Sequence, residues 1–194
     1  MSRKPIENAD DLIIPAAIKI GGNCSRGSFS TQDIATLAGV SEFVIFSRFN
    51  NKDNLIDACN KKIYDRLVEI HTEVKNKYPT DSEKYFYGML DAFLAEPEMT
   101  KFAGNYSLVF PRQNKADNYK VLFDWFNLNW KLFSNIAPHG TTTEKYQVVL
   151  FEIRELVHDA LFILTGEIQD TPNNRKTMYL LSENGVQKFI TLKN

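Results

Sequence analysis

The spacing of apolar residues is the feature of this sequence that most limits its fold. Between about residues 52 and 77, apolar side chains recur every three or four positions with charged residues between them, as on a buried helix face. Alternating apolar and polar runs that would form strands are scarce. The sequence therefore predicts an all-α chain of about nine helices. The positions that carry the pattern in this segment are Leu55, Cys59, Ile63, Leu67, Ile70 and Val74.

Capping and helix-breaking residues give approximate helix ends. Ser30 and Thr171 are typical N-caps, and Gly39 is typical of a left-handed C-cap. The pair Gly21-Gly22 is expected to end the first helix, which would tolerate Pro15 near its start or as a kink. The predicted helices span about 8–22, two short segments within 30–49, and then 52–77, 82–97, 98–109, 116–137, 141–166 and 172–191.

Composition places the chain among soluble proteins with a substantial core. It has 194 residues, of which 43% are hydrophobic, and no run approaches the roughly 20 apolar residues of a membrane-spanning helix. The first residues lack the apolar segment of a signal peptide. Cys24 and Cys59 have no disulfide-framework or metal-site spacing. We therefore expect a cytoplasmic protein without a membrane partner.

Residues 30–49 are typical of two short helices joined by a tight turn. Gly39 suits the positive φ angle that such a turn needs, and Val40 is expected to fill the angle between the helices. Ile34 and Ala35 would pack against the first helix of the chain. This arrangement is a helix-turn-helix, whose second helix enters the major groove of DNA.

The same segment resembles the N-terminal region of the TetR family of transcriptional regulators. The resemblance rests on the run IATLAGVS, the aromatic residues Phe46 and Phe49, and Lys52 followed by Asp53 and Leu55, and it covers about residues 13–58. It implies a three-helix DNA-binding head, residues 1–51, and a larger helical body for ligand binding and dimerisation, residues 52–194. The expected partners are a double-stranded DNA operator, a small-molecule effector and a second copy of the chain.

The resemblance also implies which residues contact DNA. Ser30 and Lys52 match positions that bind phosphate, although capping and solvated surface are the alternative roles. Arg48 would reach the backbone or a guanine edge, or lie on the surface as an ordinary arginine. The full set of candidate DNA contacts is Ser30, Thr31, Gln32, Ser41, Glu42, Phe43, Val44, Phe46, Arg48 and Lys52.

Several features of the head depart from the family pattern. Phe46 stands where the family usually has tyrosine, so it cannot donate a phenolic hydrogen bond to phosphate. Glu42 would repel phosphates unless it accepts from a cytosine amino group, and Phe43 and Val44 would contact thymine methyls or fill core space. The chain has a net charge of −1, and residues 1–65 hold eight basic and eight acidic side chains. A TetR-like binding module with weakened or lost DNA binding is therefore the alternative function.

The body is rich in aromatic residues. Residues 85–133 hold 13 of the 24 aromatic residues of the chain, which favours either an apolar ligand pocket or an ordinary core. Glu155 and His158 also resemble half of a di-iron site, but no second Glu-x-x-His completes it, and a polar strip on a helix is the favoured interpretation. The candidate ligand contacts are Phe86, Phe93, Tyr106, Phe110, Tyr119, Trp125, Phe126, Trp130 and His158.

Motifs of common enzymes are missing from the sequence. There is no GxSxG, HExxH, P-loop or GxGxxG arrangement. We therefore expect no catalytic residues, no metal site and no cofactor. The favoured function is a ligand-responsive repressor that binds a palindromic operator as a dimer and is released by an apolar or aromatic ligand.

Overall fold

A computed structural model of the chain describes residues 8–24, 28–106 and 142–191, with side chains at all of these positions except 142–150 and 186–191. All regular secondary structure within these ranges is α-helical, and it comprises eight helices. The helix predicted over 116–137 lies outside the described residues. The helices are α1 (Ala9–Asn23), α2 (Thr31–Ala38), α3 (Glu42–Phe49), α4 (Lys52–Lys77), α5 (Ser82–Ala95), α6 (Pro97–Asn105), α7 (Thr142–Leu164) and α8 (Pro172–Thr191).

Local capping sets most of these helix ends. The Asn51 side chain accepts from the backbone N–H of Asn54 at 2.8 Å and begins α4 at Lys52, as predicted. Asp81 caps α5, and the Thr171 hydroxyl accepts from Asn174 N–H at 3.2 Å ahead of Pro172. Pro97 was predicted to lie just before α6, but it is the first residue of that helix. That position suits proline, because an N–H group there would have no partner within the helix and proline therefore loses no hydrogen bond.

Helix α1 contains Pro15 and the pair Gly21-Gly22. It continues across Pro15 and ends at Asn23, one residue past the predicted end at the glycine pair. The two glycines also allow α6 to approach closely. A Cβ atom on Gly22 would lie 2.7 Å from the carbonyl oxygen of Glu98, and one on Gly21 would lie 2.7 Å from the Phe102 ring. The glycine pair is thus a packing site, which the sequence of α1 alone does not reveal.

Asn105 reinforces the contact between α1 and α6. Its side-chain amide donates to the carbonyl oxygens of Gly21, Gly22 and Cys24 at 3.0 to 3.2 Å. The last carbonyls of a helix have no partner within the helix, so the Asn105 side chain satisfies groups that α1 cannot satisfy itself. The first helix of the chain is therefore fastened to the body as well as to the head.

The buried core is continuous from the head to the body. Helix α4 supplies Cys59, whose thiol lies 3.9 Å from the Ile14 carbonyl oxygen of α1, and Val74, which lies beside Gly88 of α5, and both are buried. Helices α7 and α8 close the body against α5 and α6, with Leu156 and Met178 buried among them. Within the described ranges, no helix is long and apolar enough to cross a membrane.

Candidate nucleic-acid interface

The turn between α2 and α3 has the geometry that the sequence predicts. The Ser30 hydroxyl caps α2 by accepting from Asp33 N–H at 3.2 Å. At the other end Gly39 has φ 68°, and the N–H groups of Gly39 and Val40 donate to the carbonyls of Thr36 and Ala35. These two bonds form a Schellman motif, which turns the chain sharply into α3. A Cβ on Gly39 would meet no atom within 4 Å, so the backbone angle and not crowding requires glycine here.

Helix α3 is held from one side only. Ile45 and Phe49 are buried in the core, and Val44 is half-buried against it. Val44 is therefore mainly a packing residue, which was one of its two predicted roles. The Ser41 side chain, which precedes α3, makes no capping hydrogen bond. Its hydroxyl is exposed at the N-terminus of the helix.

The opposite side of α3 is exposed and largely apolar. Phe43, Phe46 and Ser47 follow one another at helical spacing and form what we call the outer face of α3. The exposed fraction is 79% for Phe43 and 48% for Phe46. Phe43 therefore does not fill core space, which was the alternative that the sequence left open. Exposed aromatic rings on a recognition helix can contact thymine methyl groups in the major groove.

Glu42 is restrained by the supporting helix. Its carboxylate accepts a hydrogen bond from the Thr31 hydroxyl at 2.7 Å. The bond ties the first residue of α3 to the first residue of α2. Thr31 was predicted to contact DNA, but in this arrangement its hydroxyl proton is directed to Glu42. Gln32 is exposed one residue later.

The two predicted cationic contacts lie at the edges of α3. Arg48 pairs with Asp10 of α1 at 3.8 Å, and both side chains are about half exposed. Lys52 is the first residue of α4, and its ammonium lies 5.2 Å from the centre of the Phe29 ring. Neither Asp10 nor Phe29 was identified from the sequence. The only signal in the sequence for Phe29 was that it is an aromatic residue next to the Ser30 N-cap.

Four of the candidate ligand contacts lie among the described residues. Phe86 and Phe93 are buried in the core, and Tyr106 stacks on Phe102 with ring centres 4.6 Å apart. His158 is exposed on α7. Phe110, Tyr119, Trp125, Phe126 and Trp130 lie outside the described residues. Among the residues that the structure does describe, no group of three or more histidine, cysteine or acidic side chains could hold a metal ion.

A cleft of about 490 Å³ lies where α1, α4 and the start of α6 meet. Ile18, Ile63 and Met99 give it an apolar floor, and Arg66 and Glu96 lie at its rim, joined at 2.7 Å. None of the ligand candidates within the described ranges lines it. The cleft was not foreseen because its walls come from three separate parts of the sequence.

Comparison with known proteins identifies the fold. Over 95% of this chain and 99% of the other, the structure is similar to a protein from Rhodococcus sp. described as a TetR-family transcriptional regulator, with TM-score 0.63 and 15% identity. It is also similar to TetR-family regulators from Rhodococcus sp. RHA1, with TM-score 0.56, 13% identity and coverage of 90% and 93% of the two chains, and from Streptomyces coelicolor, with TM-score 0.59, 14% identity and coverage of 97% and 84%.

No protein-family profile and no curated protein matches the sequence. The chain therefore has the all-α fold of TetR-family regulators over nearly its whole length. This agrees with the fold class predicted from the helix-turn-helix segment and the helical periodicity.

Proposed function

We propose that this protein is a DNA-binding transcriptional regulator, acting as a cytoplasmic homodimeric repressor that a small apolar or aromatic ligand releases from a palindromic operator. The observation that carries the proposal is the exposed outer face of α3, presented by a capped helix-turn-helix on a TetR-like fold. A helix anchored on one side by Ile45 and Phe49 leaves the other side free to enter a major groove.

Phosphate contacts would come from the edges of the head. Lys52 supplies a cation, and the capped N-terminus of α2 at Ser30 supplies backbone N–H groups and a favourable helix dipole. These contacts would position the head without selecting a sequence. Selection would then fall to Phe43 through thymine methyls, and to Arg48 through a guanine edge.

Dimerisation is supported by the exposed apolar side chains of α7 and α8. Phe151 and Phe162 of α7 are 39% and 40% exposed, and Leu180 and Leu181 of α8 are 41% and 66% exposed. Large apolar side chains grouped on two neighbouring helices are typical of a subunit interface. Two copies joined here would present two recognition helices to the two halves of a palindrome.

The effector site stays a proposal with two candidate locations. One is the aromatic segment of the body, from which Tyr106 stacks on Phe102 of α6. The other is the cleft between α1, α4 and α6. A ligand at either location would act through its different affinity for the two states of the dimer.

A selection experiment tests the DNA-binding function directly. The purified protein is incubated with a pool of random double-stranded DNA, bound fragments are enriched, and the affinity for the winning fragment is measured at several salt concentrations. We expect a palindromic fragment whose affinity falls steeply with salt, because phosphate contacts release counterions. Recovery of no enriched sequence would contradict the proposal.

Lys52→Ala sharpens this experiment. We expect weaker binding to all fragments by a similar factor and a salt slope smaller by about 0.9 for each site. Lys61→Ala is the matched control, because Lys61 is an exposed lysine of the same helix, paired with Asp65 at 2.8 Å. Lys61→Ala should leave the DNA affinity and the salt slope unchanged. An unchanged salt slope in the Lys52 variant would refute its assigned phosphate contact.

A second function is favoured by the first two residues of α3. Phe43 is 79% exposed and Glu42 is acidic, and both are unfavourable beside a phosphate backbone. A TetR-like binding module that has lost operator binding would show no DNA enrichment but would still dimerise and bind a small ligand. Mass spectrometry of ligand that copurifies with the protein would then become the informative measurement.

A further inference from the structure

Phe29 lies at a junction between the head and the body. It precedes the Ser30 cap of α2 and is only 4% exposed. Its ring makes edge-on contacts with Phe102 of α6, at 6.4 Å, and with Tyr106, the residue directly after α6, at 5.5 Å, measured between ring centres. The ammonium of Lys52 lies 5.2 Å from the centre of the same ring. One aromatic side chain thus contacts both α6 and the first residue of α4.

The position of Lys52 is electrostatically unusual for a cation. The N-terminus of a helix carries a partial positive charge, so a lysine at the first helical residue is less favourable than an acidic residue there. The electron-rich face of an aromatic ring attracts an ammonium group and offsets this cost. Phe29 therefore restricts a flexible four-carbon side chain to one region beside the head.

The ring itself has little freedom to move. Tyr106 and Phe102 stack on each other with centres 4.6 Å apart, and a Cβ atom on Gly21 would lie 2.9 Å from the Phe29 ring. A displacement of α6 would consequently displace Phe29. Because Lys52 rests on this ring, its ammonium would be displaced too.

We propose that Phe29 is a positioning residue for DNA binding, which holds the Lys52 ammonium ready for a phosphate and links its position to α6. This inference rests on the proposed DNA-binding function. According to this inference, a displacement of α6 would move the Lys52 ammonium and so change one phosphate contact directly. This effect is separate from any change in the distance between the two heads of a dimer.

The experiment replaces Phe29 with phenylalanine analogues carrying one, two or three fluorine atoms. Fluorine withdraws electrons from the ring face and weakens its attraction for a cation, while the shape of the side chain is nearly kept. DNA affinity is measured by fluorescence anisotropy on the fragment that the wild-type protein selects. We expect affinity to fall stepwise with fluorine number, to about fivefold for three fluorines, equivalent to roughly 1 kcal/mol.

A Lys52→Ala background separates positioning from general stability. In that background the fluorine series should have no effect on DNA affinity, because the cation is gone. Phe29→Leu should likewise weaken binding and reduce the salt slope only when Lys52 is present. Two results would overturn the proposal. One is an equal loss of DNA affinity on fluorination in both backgrounds, and the other is a DNA affinity that does not change with fluorine number in the presence of Lys52.

The link to α6 has its own pair of variants. Tyr106→Leu should weaken DNA binding in the presence of Lys52 but not in the Lys52→Ala protein. The same substitution at Tyr85, a buried tyrosine of α5, controls for loss of stability and should leave the salt slope unchanged. If the wild-type protein selects no DNA, the proposed function fails together with this inference. If it selects DNA through Lys52 but ignores ring fluorination, only the inference fails.

Discussion

Phe46 provides a direct test of how α3 meets DNA. It is 48% exposed, so a hydroxyl added by Phe46→Tyr would reach solvent instead of being buried in the core. We expect an unchanged melting temperature and tighter binding to the selected fragment, by at most about 1.5 to 3 kcal/mol for a new hydrogen bond to phosphate. Anisotropy titrations beside a thermal melt measure both effects. Unchanged affinity at unchanged stability would mean that α3 does not dock with Phe46 beside the backbone.

His71 makes the stability of the protein depend on pH. It is fully buried in α4, where its Nδ1 lies 2.6 Å from the Tyr85 hydroxyl. Burial, with a smaller effect of Lys75, lowers the pKa of His71 to about 4. The unfolded chain therefore binds a proton below about pH 6.5, whereas the folded chain does not until about pH 4. Folded stability should consequently fall as the pH decreases between these two values.

Urea unfolding of the wild type and of His71→Gln at pH 7.5 and 4.5 measures this effect. The wild type should lose roughly 2 to 3 kcal/mol more than the variant over this interval. The comparison is needed because Asp159, whose pKa is raised to about 7 by burial and by Glu155, changes stability in the opposite direction. Both proteins contain Asp159, so its contribution to the pH dependence of stability cancels when the two are compared. Parallel pH profiles would show that the pKa of His71 does not differ between the folded and the unfolded protein.

Single residues were predictable where their role is local. Ser30, Gly39 and Thr171 act on backbone groups within a few positions, and their capping roles follow from residue type and spacing. Phe29 and Asn105 act on residues brought close by the fold, and Phe29 had only its place beside an N-cap as a signal. The partners of Asn105 lie more than 80 positions earlier in the chain, a separation that no local pattern encodes.

At the scale of helices, the contact between α1 and α6 depends on the absence of side chains. Gly22→Ala would place a methyl group 2.7 Å from the backbone oxygen of Glu98, and backbone cannot rotate away as a side chain can. We expect a net loss of about 1 to 2 kcal/mol, because crowding outweighs the better helix propensity of alanine. Chemical denaturation measures this loss.

Gly185→Ala in α8 is the matched control for this helix contact. Its added methyl group would lie 3.0 Å from the ring of Phe151, a half-exposed side chain that can yield. We expect a change close to zero or a small gain in stability. Equal losses in the two variants would show that helix propensity or general crowding, and not the approach of the α6 backbone, decides the outcome at Gly22.

Helix existence followed from periodicity and caps, whereas the role of each helix face did not. The bounds of α4 and α8 agree with the sequence, because strong caps coincide with sustained apolar spacing. The glycine pair in α1 lies one residue before the observed helix end, but its role in packing was not predicted, since an isolated helix contains no information about a neighbour. Among the described aromatic candidates, Phe86 and Phe93 are core residues, and the proposed ligand contacts at other positions stay predictions.

For the whole molecule, Leu181→Asp tests the proposed dimer. Leu181 is 66% exposed on α8, so a charge there costs little in the monomer but would be buried in an interface. We expect sedimentation at micromolar concentration to give a dimer for the wild type and a monomer for the variant, with an unchanged helical spectrum. Leu156 and Met178 of the same two helices are buried within the chain and are unsuitable for this test.

Leu37→Asp is the control for assembly, because Leu37 of the head is 47% exposed and lies outside α7 and α8. It should sediment as the wild type does. A wild-type protein that sediments as a monomer would remove the proposed dimer and, with it, the recognition of two operator halves. A dimer that survives Leu181→Asp would place the interface elsewhere.

The junction made by Gly21, Gly22 and Asn105 also bears on how proteins of this fold can be recombined. A hybrid can be built by joining the N-terminal head of one such protein to the body of another. In this protein, a transplanted first helix with ordinary side chains at the two glycine positions would strike α6, and its final carbonyls would face an amide positioned for a different backbone. A functional hybrid should therefore keep α1 with the body, or transfer the two glycines and the asparagine as one inherited unit.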